Sequence, residues 1–131
     1  MQPHRILVVD DYVPAAQAIA QLLRIVGHTV ATAYTADNIM QLAVEFQPDL
    51  VLLDIGLKGE ADGVTVAKWL REEPRLDGLV LVAVTGRGNA EHDDYIASAG
   101  FDHYLVKPVG LEQLDAIISA LPERSAGTKG Q

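Results

Sequence analysis

The segment Leu50-Val51-Leu52-Leu53-Asp54 decides the fold, because four large apolar residues in series end on a carboxylate. A continuous run of Val and Leu is typical of a strand buried on both faces, as in a parallel sheet covered by helices. In open α/β sheets, ligands bind at the edge formed by the C-terminal ends of the strands. The position of Asp54 at such an end therefore predicts a chemical role for its side chain.

The size and composition of the chain suit one domain with a sizeable core, since 49% of the 131 residues are apolar. The formal net charge of −8 argues against a nucleic-acid-binding face and favours basic partners or metal ions. There is no cysteine, which excludes disulfides, thiolate metal sites and a Cys nucleophile. The longest apolar run is too short to cross a membrane, and no signal peptide is evident, so we expect a cytoplasmic protein.

Five short apolar segments alternate with five segments of helical periodicity, which predicts an α/β fold: a doubly wound (βα)₅ domain with a five-stranded parallel sheet. The predicted strands cover residues 5–10, 29–33, 49–54, 79–84 and 104–106. The predicted helices lie within residues 14–27, 35–48, 64–72, 89–99 and 111–121. The domain is expected to span residues 1–122, with a flexible tail at 123–131.

Some details of these helices can be checked directly. The buried stripe of the first helix is predicted at four apolar positions: Ile19, Leu22, Leu23 and Val26. Thr35 and Asn89 are predicted to cap the second and fourth helices. None of the histidines shows ligand spacing, and all four are expected at the surface: His4, His28, His92 and His103.

Right-handed crossovers place the C-terminal ends of all parallel strands on one edge. Five residues with chemically useful side chains end or follow a predicted strand: Asp10, Asp11, Asp54, Thr85 and Lys107. Three carboxylates close together repel one another unless a cation joins them, and oxygen ligands suit Mg²⁺. With an ammonium and a hydroxyl nearby, the set predicts a site where a carboxylate accepts a phosphoryl group. Each residue alone has an ordinary structural interpretation, but their joint occurrence on one edge does not.

These motifs, in this order, resemble the receiver domain of two-component response regulators over about residues 5–121. The resemblance implies the flavodoxin-like strand order 2-1-3-4-5. It also implies that Asp54 takes a phosphoryl group from the phosphohistidine of a sensor histidine kinase or a phosphotransfer protein. Asp11, Asp54 and the backbone carbonyl of Gly56 would ligate Mg²⁺ directly, and Asp10 would act through a metal-bound water.

The resemblance further implies a switch. Lys107 would pair with a phosphoryl oxygen, the Thr85 hydroxyl would bind the phosphoryl group, and Tyr104 would swing inward. The face formed by the fourth helix, fifth strand and fifth helix would then repack for a downstream protein target or a fused output domain, and a phosphorylation-dependent dimer is allowed. The domain would catalyse only its own phosphorylation and dephosphorylation, with no direct contact to nucleic acid or membrane.

The loop after Asp54 departs from the family pattern, because Lys58 stands where proline is common and the loop is one residue longer. We expect a more mobile loop that affects the lifetime of the phosphoryl group more than its formation. Arg87, two residues after Thr85, could shield the group from water, whereas Gly56 would leave the site open.

Four alternatives remain open at this point. A Mg²⁺-dependent phosphatase with an aspartyl nucleophile needs a second acid two residues later, where this chain has Gly56. A flavodoxin-type nucleotide or flavin module needs a Gly/Ser/Thr-rich phosphate cradle after the first strand, where Asp10 and Asp11 would repel phosphate. The chain could also be the receiver of a hybrid histidine kinase, or a degenerate receiver that binds partners without phosphorylation.

Overall fold

The computed structural model describes residues 3–57, 61–86 and 88–122. Five strands form one parallel sheet in the order β2-β1-β3-β4-β5, which confirms the predicted fold class and strand order. The strands are β1 (Arg5–Val9), β2 (Thr29–Ala33), β3 (Leu50–Asp54), β4 (Val80–Thr85) and β5 (His103–Val106). The predictions for Lys58, Arg87 and the tail at 123–131 lie outside the described residues.

Five α-helices connect or follow the strands: α1 (Val13–Ile25), α2 (Ile39–Phe46), α3 (Gly63–Glu72), α4 (Asp94–Ala97) and α5 (Leu111–Ser119). Pro14 lies in the first turn of α1, where its missing N–H leaves no bond unmade. Gly27 follows the end of α1 with a φ of +113°, a conformation that glycine adopts without strain.

The sheet separates two apolar clusters because successive side chains of a strand point to opposite faces. In β3, Val51 and Leu53 face the cluster shared with α2, α3 and α4. Leu50 and Leu52 face the cluster shared with α1 and α5. The strand is therefore buried on both sides, as its unbroken apolar run predicts.

The predicted buried stripe of α1 is wrong at two of its four positions. Ala16, Ala20 and Leu23 are the buried residues, whereas Leu22 is 44% exposed and Val26 is 37% exposed. The two alanines present little bulk, so the helix packs against the sheet through them and Leu23, and Leu22 and Val26 turn outward.

Both predicted capping residues are also wrong. The Thr35 hydroxyl accepts a bond from the Asp37 N–H, and α2 begins only after Asn38, whose φ is +62°. Asn89 makes no side-chain cap; a short 3₁₀ turn follows it, and the Asp93 carboxylate then caps α4. Asp93 directly precedes α4, whereas the 3₁₀ turn separates Asn89 from the start of that helix.

His4 and His28 are buried, at 3% and 5% exposure, so their predicted surface location is wrong. The His4 N–H donates to Nδ1 of His28 at 3.0 Å, and the two ring centroids lie 5.9 Å apart. Parallel pairing of β1 and β2 brings the two residues together, because each directly precedes its strand. His92 and His103 are exposed, as predicted.

Candidate functional site

The C-terminal ends of four strands carry the predicted site residues to one edge of the sheet. Asp54 is the last residue of β3, and Thr85 is the last residue of β4. Asp10 directly follows β1, and Lys107 directly follows β5. The Lys107 N–H donates to the Thr85 carbonyl at 2.8 Å, which fixes the lysine beside the end of β4.

Three carboxylates form a compact group at this edge. Each of Asp10, Asp11 and Asp54 offers an oxygen, and these oxygens all lie within 4.8 Å of one another. Asp10 and Asp54 are buried, whereas Asp11 is half-buried. Oδ1 of Asp10 accepts the Tyr12 N–H at 2.9 Å, and Oδ1 of Asp54 accepts the Gly56 N–H at 2.9 Å. The two buried carboxylates are thus oriented by the backbone that follows them.

Lys107 compensates part of the negative charge. Its Nζ lies 3.4 Å from Oδ1 of Asp54 and 3.5 Å from Oδ2 of Asp10. Burial raises the pKa of Asp54, and the neighbouring Asp10 charge adds to that effect, although the Gly56 N–H and Lys107 oppose it. Three carboxylates thus lie near a single ammonium, and this excess of acidic groups favours the binding of a further cation.

The donor set fits a hard divalent cation. Carboxylate oxygens are the ligands that Mg²⁺ takes, and the ion keeps several waters and binds phosphate oxygens. Asp10, Asp11 and Asp54 are the residues that would hold it. Gly56 lies exposed beside Asp54, and the role of its backbone carbonyl as a ligand stays a prediction.

Thr85 and Tyr104 lie on the same face of the sheet. Tyr104 pairs with Ala83, two positions before Thr85, and side chains two apart on a strand point the same way. Tyr104 is half-buried against the cluster under α3 and α4, and its ring meets Phe101 edge-on at 5.8 Å. Burial raises the pKa of Tyr104, with the Glu91 charge adding to it.

Sequence reasoning missed Gly63 as a part of the site. Its N–H donates to the Ile55 carbonyl at 3.3 Å, so α3 begins directly against the end of β3. A Cβ at this position would collide with the Asp54 carbonyl oxygen and lie 2.8 Å from Cα of Ile55. The Asp62-Gly63 pair at a helix start was the signal in the sequence, since a glycine there permits close backbone approach.

The family model for the response regulator receiver domain matches residues 6–119. The chain belongs to the receiver domain family. Among curated relatives of this receiver domain, PrrA of Mycobacterium tuberculosis, a transcriptional regulatory protein, is 38% identical over 126 residues. That match covers 95% of this chain and 52% of the relative. RpaA of Synechocystis, named a DNA-binding dual master transcriptional regulator, is 32% identical over 121 residues. That match covers 92% of this chain and 50% of RpaA.

The receiver domain therefore spans about half the length of the curated relatives it matches. Among solved structures, the response regulator receiver domain of Methylobacillus flagellatus superposes with a TM-score of 0.80 at 26% identity, covering 92% of this chain and 99% of that one. The receiver domain protein of Methanospirillum hungatei gives a TM-score of 0.75 at 29% identity, with 89% and 91% covered. Within the described part of this receiver domain, no helix is long and apolar enough to span a membrane.

Proposed function

We propose that this receiver domain accepts a phosphoryl group on Asp54 from the phosphohistidine of a sensor histidine kinase or a phosphotransfer protein. The observation that carries the proposal is the position of the Asp54 carboxylate, 3.4 Å from the Lys107 ammonium and within 4.8 Å of the Asp10 and Asp11 oxygens. Such a group of charges suits an acceptor that must bind a metal and an anionic group together.

In the proposed reaction an oxygen of Asp54 attacks phosphorus. The bond between phosphorus and the imidazole nitrogen breaks, and its electron pair stays on the imidazole. Bound Mg²⁺ would supply neutralisation of the charge on the phosphoryl oxygens and on the three carboxylates. Lys107 pairs with one phosphoryl oxygen, and the Thr85 hydroxyl donates to another.

The proposed output is a change of surface at α4, β5 and α5. Thr85 and Tyr104 share a face of the sheet, so movement of Thr85 toward the phosphoryl group opens space for the Tyr104 ring. The changed face then binds a downstream protein or a fused output domain, or a second phosphorylated copy. The regulatory names of the relatives support an output of this kind.

We class the domain as a self-modifying switch, not an enzyme that turns over a separate substrate. Gly56 occupies the position where an aspartyl phosphatase would carry its second acid, and it offers no side chain for proton transfer. The residues after Asp54 instead set the phosphoryl lifetime, and Lys58→Pro tests this. Equal autodephosphorylation rates in Lys58→Pro and the wild type would contradict the proposed effect of the loop.

Intact mass after incubation with acetyl phosphate and Mg²⁺ tests the acceptor. We expect one phosphoryl adduct on the wild type and on Asp37→Asn, a matched control at an exposed carboxylate. We expect no adduct on Asp54→Asn, and none on the wild type when a chelator removes the metal. A wild type that binds Mg²⁺ but takes no phosphoryl group would identify a degenerate receiver that acts through a constitutive protein interface.

A further inference from the structure

One hydrogen bond joins the two helices that follow the acceptor and the hydroxyl of the site. The Tyr95 hydroxyl donates to Oδ2 of Asp62 at 2.8 Å. Asp62 caps α3, the helix after Asp54, through a bond from the Thr65 N–H to its other oxygen, Oδ1, at 2.8 Å. Tyr95 lies in α4, the helix that follows β4 and Thr85.

The contact joins the short helix α4 to the longer and well-buried helix α3. α4 has four residues, and Ile96 is its buried anchor. Tyr95 is 52% exposed, so the apolar core does not by itself fix the direction of its ring. The Asp62 carboxylate, by contrast, is held at the start of α3, next to Gly63 and the backbone that follows Asp54.

Charge strengthens this contact. Nζ of Lys68 lies 5.3 Å from the centroid of the Tyr95 ring, within the range of a cation–π interaction. Although burial opposes the effect, bonds from the Thr65 N–H and the Tyr95 hydroxyl hold the pKa of Asp62 below its usual range. Asp62 is therefore a carboxylate at neutral pH, and a hydrogen bond to a charged acceptor is stronger than one between neutral groups.

We propose that the Asp62–Tyr95 hydrogen bond is a latch that holds α4 against α3 and breaks when α4 moves on phosphorylation. The proposal rests on the proposed function, since it concerns the regulation of the same site. A bond made in only one of two arrangements biases their equilibrium by its own free energy. Removing the hydroxyl should therefore favour the phosphorylated arrangement and tighten the binding of anything that selects it.

The test uses Tyr95→Phe, which removes the hydroxyl and keeps the ring over Lys68. Beryllium fluoride is a mimic of the phosphoryl group. Together with Mg²⁺, it is titrated into each variant of the full 131-residue chain. We expect Tyr95→Phe to bind the mimic about threefold or more tightly than the wild type, as one net hydrogen bond allows. Tyr34→Phe is the matched control, because it removes a tyrosine hydroxyl beyond the end of β2, where its partners are Thr32 and Gln17. Its affinity should equal that of the wild type.

A second variant separates the latch from a general loosening of the fold. Asp62→Ser keeps one oxygen that can accept the Thr65 N–H but removes the second carboxylate oxygen, which accepts the Tyr95 hydroxyl. Asp62→Ser should tighten binding like Tyr95→Phe, and the double variant should add little to either. Equal or weaker binding by Tyr95→Phe, or additive effects in the double variant, would overturn the latch. A wild type that fails to bind the mimic would instead overturn the proposed function, and the latch with it.

Discussion

The Nζ atom of Lys107 lies 3.4 Å from Oδ1 of Asp54. The same ammonium lies 3.5 Å from Oδ2 of Asp10, so two buried carboxylates share one cation. Because that ammonium stabilises the charges a divalent metal would also stabilise, its presence opposes metal binding at the same carboxylates. We therefore expect lysine and metal to compete in the free domain, although the proposed phosphoryl transfer uses both.

We expect Lys107→Ala to bind Mg²⁺ about tenfold more tightly than the wild type, since removal of a nearby positive charge is worth about 1.4 kcal/mol at a partly exposed site. The same variant should form the phosphoryl adduct at least about tenfold more slowly, because Lys107 no longer pairs with the phosphoryl oxygens. Calorimetric titration measures the first effect and intact mass the second. Lys107→Arg, which keeps the charge, should hold Mg²⁺ affinity near the wild-type value. Unchanged affinity in Lys107→Ala would contradict the competition.

Gly63→Ala should lower the free energy of unfolding by about 3 kcal/mol, because its Cβ collides with the Asp54 carbonyl and the backbone must shift. The shift moves the Asp54 end of β3, so adduct formation should fall as well. Urea unfolding measures the stability. Gly88→Ala is the control, since its Cβ meets nothing within 4 Å and should cost less than about 0.5 kcal/mol. Similar losses in both variants would show that close approach at Gly63 is not the cause.

Arg71 clamps the end of α3 to the segment before β5. Its guanidinium donates to the Leu79 carbonyl at 2.6 Å, to the Gly100 carbonyl at 2.9 and 2.7 Å, and to the Asp102 carboxylate. Lysine cannot reproduce this fork, so Arg71→Lys should lower the free energy of unfolding by about 2 kcal/mol. In contrast, Arg75→Lys should leave the free energy of unfolding near the wild-type value, because the Arg75 side chain is 66% exposed. Chemical denaturation measures the free energy of unfolding of both variants. Equal losses would contradict the role given to the Arg71 guanidinium.

His28 should make the stability depend on pH at the opposite edge of the sheet. Its Nδ1 accepts the His4 N–H, so protonation of that nitrogen breaks the bond. Burial lowers the pKa of His28, the neighbouring His4 adds to the shift, and the Asp115 charge opposes it. The unfolded chain therefore binds the extra proton first as the pH falls below about 6.5.

The stability due to His28 is thus complete above that pH and is lost below it, with a slope of up to about 1.4 kcal/mol per pH unit from this one group. Urea unfolding between pH 5 and pH 8 measures the slope. His28→Asn, which keeps an acceptor near the Nδ1 position, should flatten it. His92→Asn, at a side chain that is 79% exposed, should leave it unchanged. A wild-type slope retained in His28→Asn would assign the dependence to other groups.

The sequence was sufficient for the sheet because its strands carry their own evidence. Leu50 to Leu53 are apolar without interruption, as is typical of a strand covered on both faces, and all four are buried. From parallel strands it follows that Asp54, Thr85 and Lys107 meet at one edge, whatever the details of packing. The approximate location of the site thus depends on the order and direction of the strands, and short apolar runs in the sequence indicate where the strands lie.

What the sequence did not reveal depends on tertiary packing. Ala16 and Ala20 are buried against the sheet, whereas Leu22 is exposed. The small alanine side chains let the backbone of α1 approach the sheet closely, and this packing is favoured over burial of the larger Leu22 side chain. The burial of His28 requires the pairing of β1 with β2, and the Asp62–Tyr95 bond joins residues 33 positions apart. Helical periodicity contains no information on any of these contacts.

The strand that leads to Lys107 is an outer strand of the sheet. β5 has four residues, Leu105 is its one buried residue, and within the described chain it pairs with β4 alone. Amide hydrogens of such a strand should exchange with deuterium sooner than those of β1 and β3 at the centre of the sheet. Each local opening of β5 would carry the Lys107 ammonium away while Asp10 and Asp54 stay anchored to slowly exchanging strands. We therefore expect the carboxylates to keep their positions for as long as the domain is folded, and the ammonium to leave the site whenever β5 opens locally.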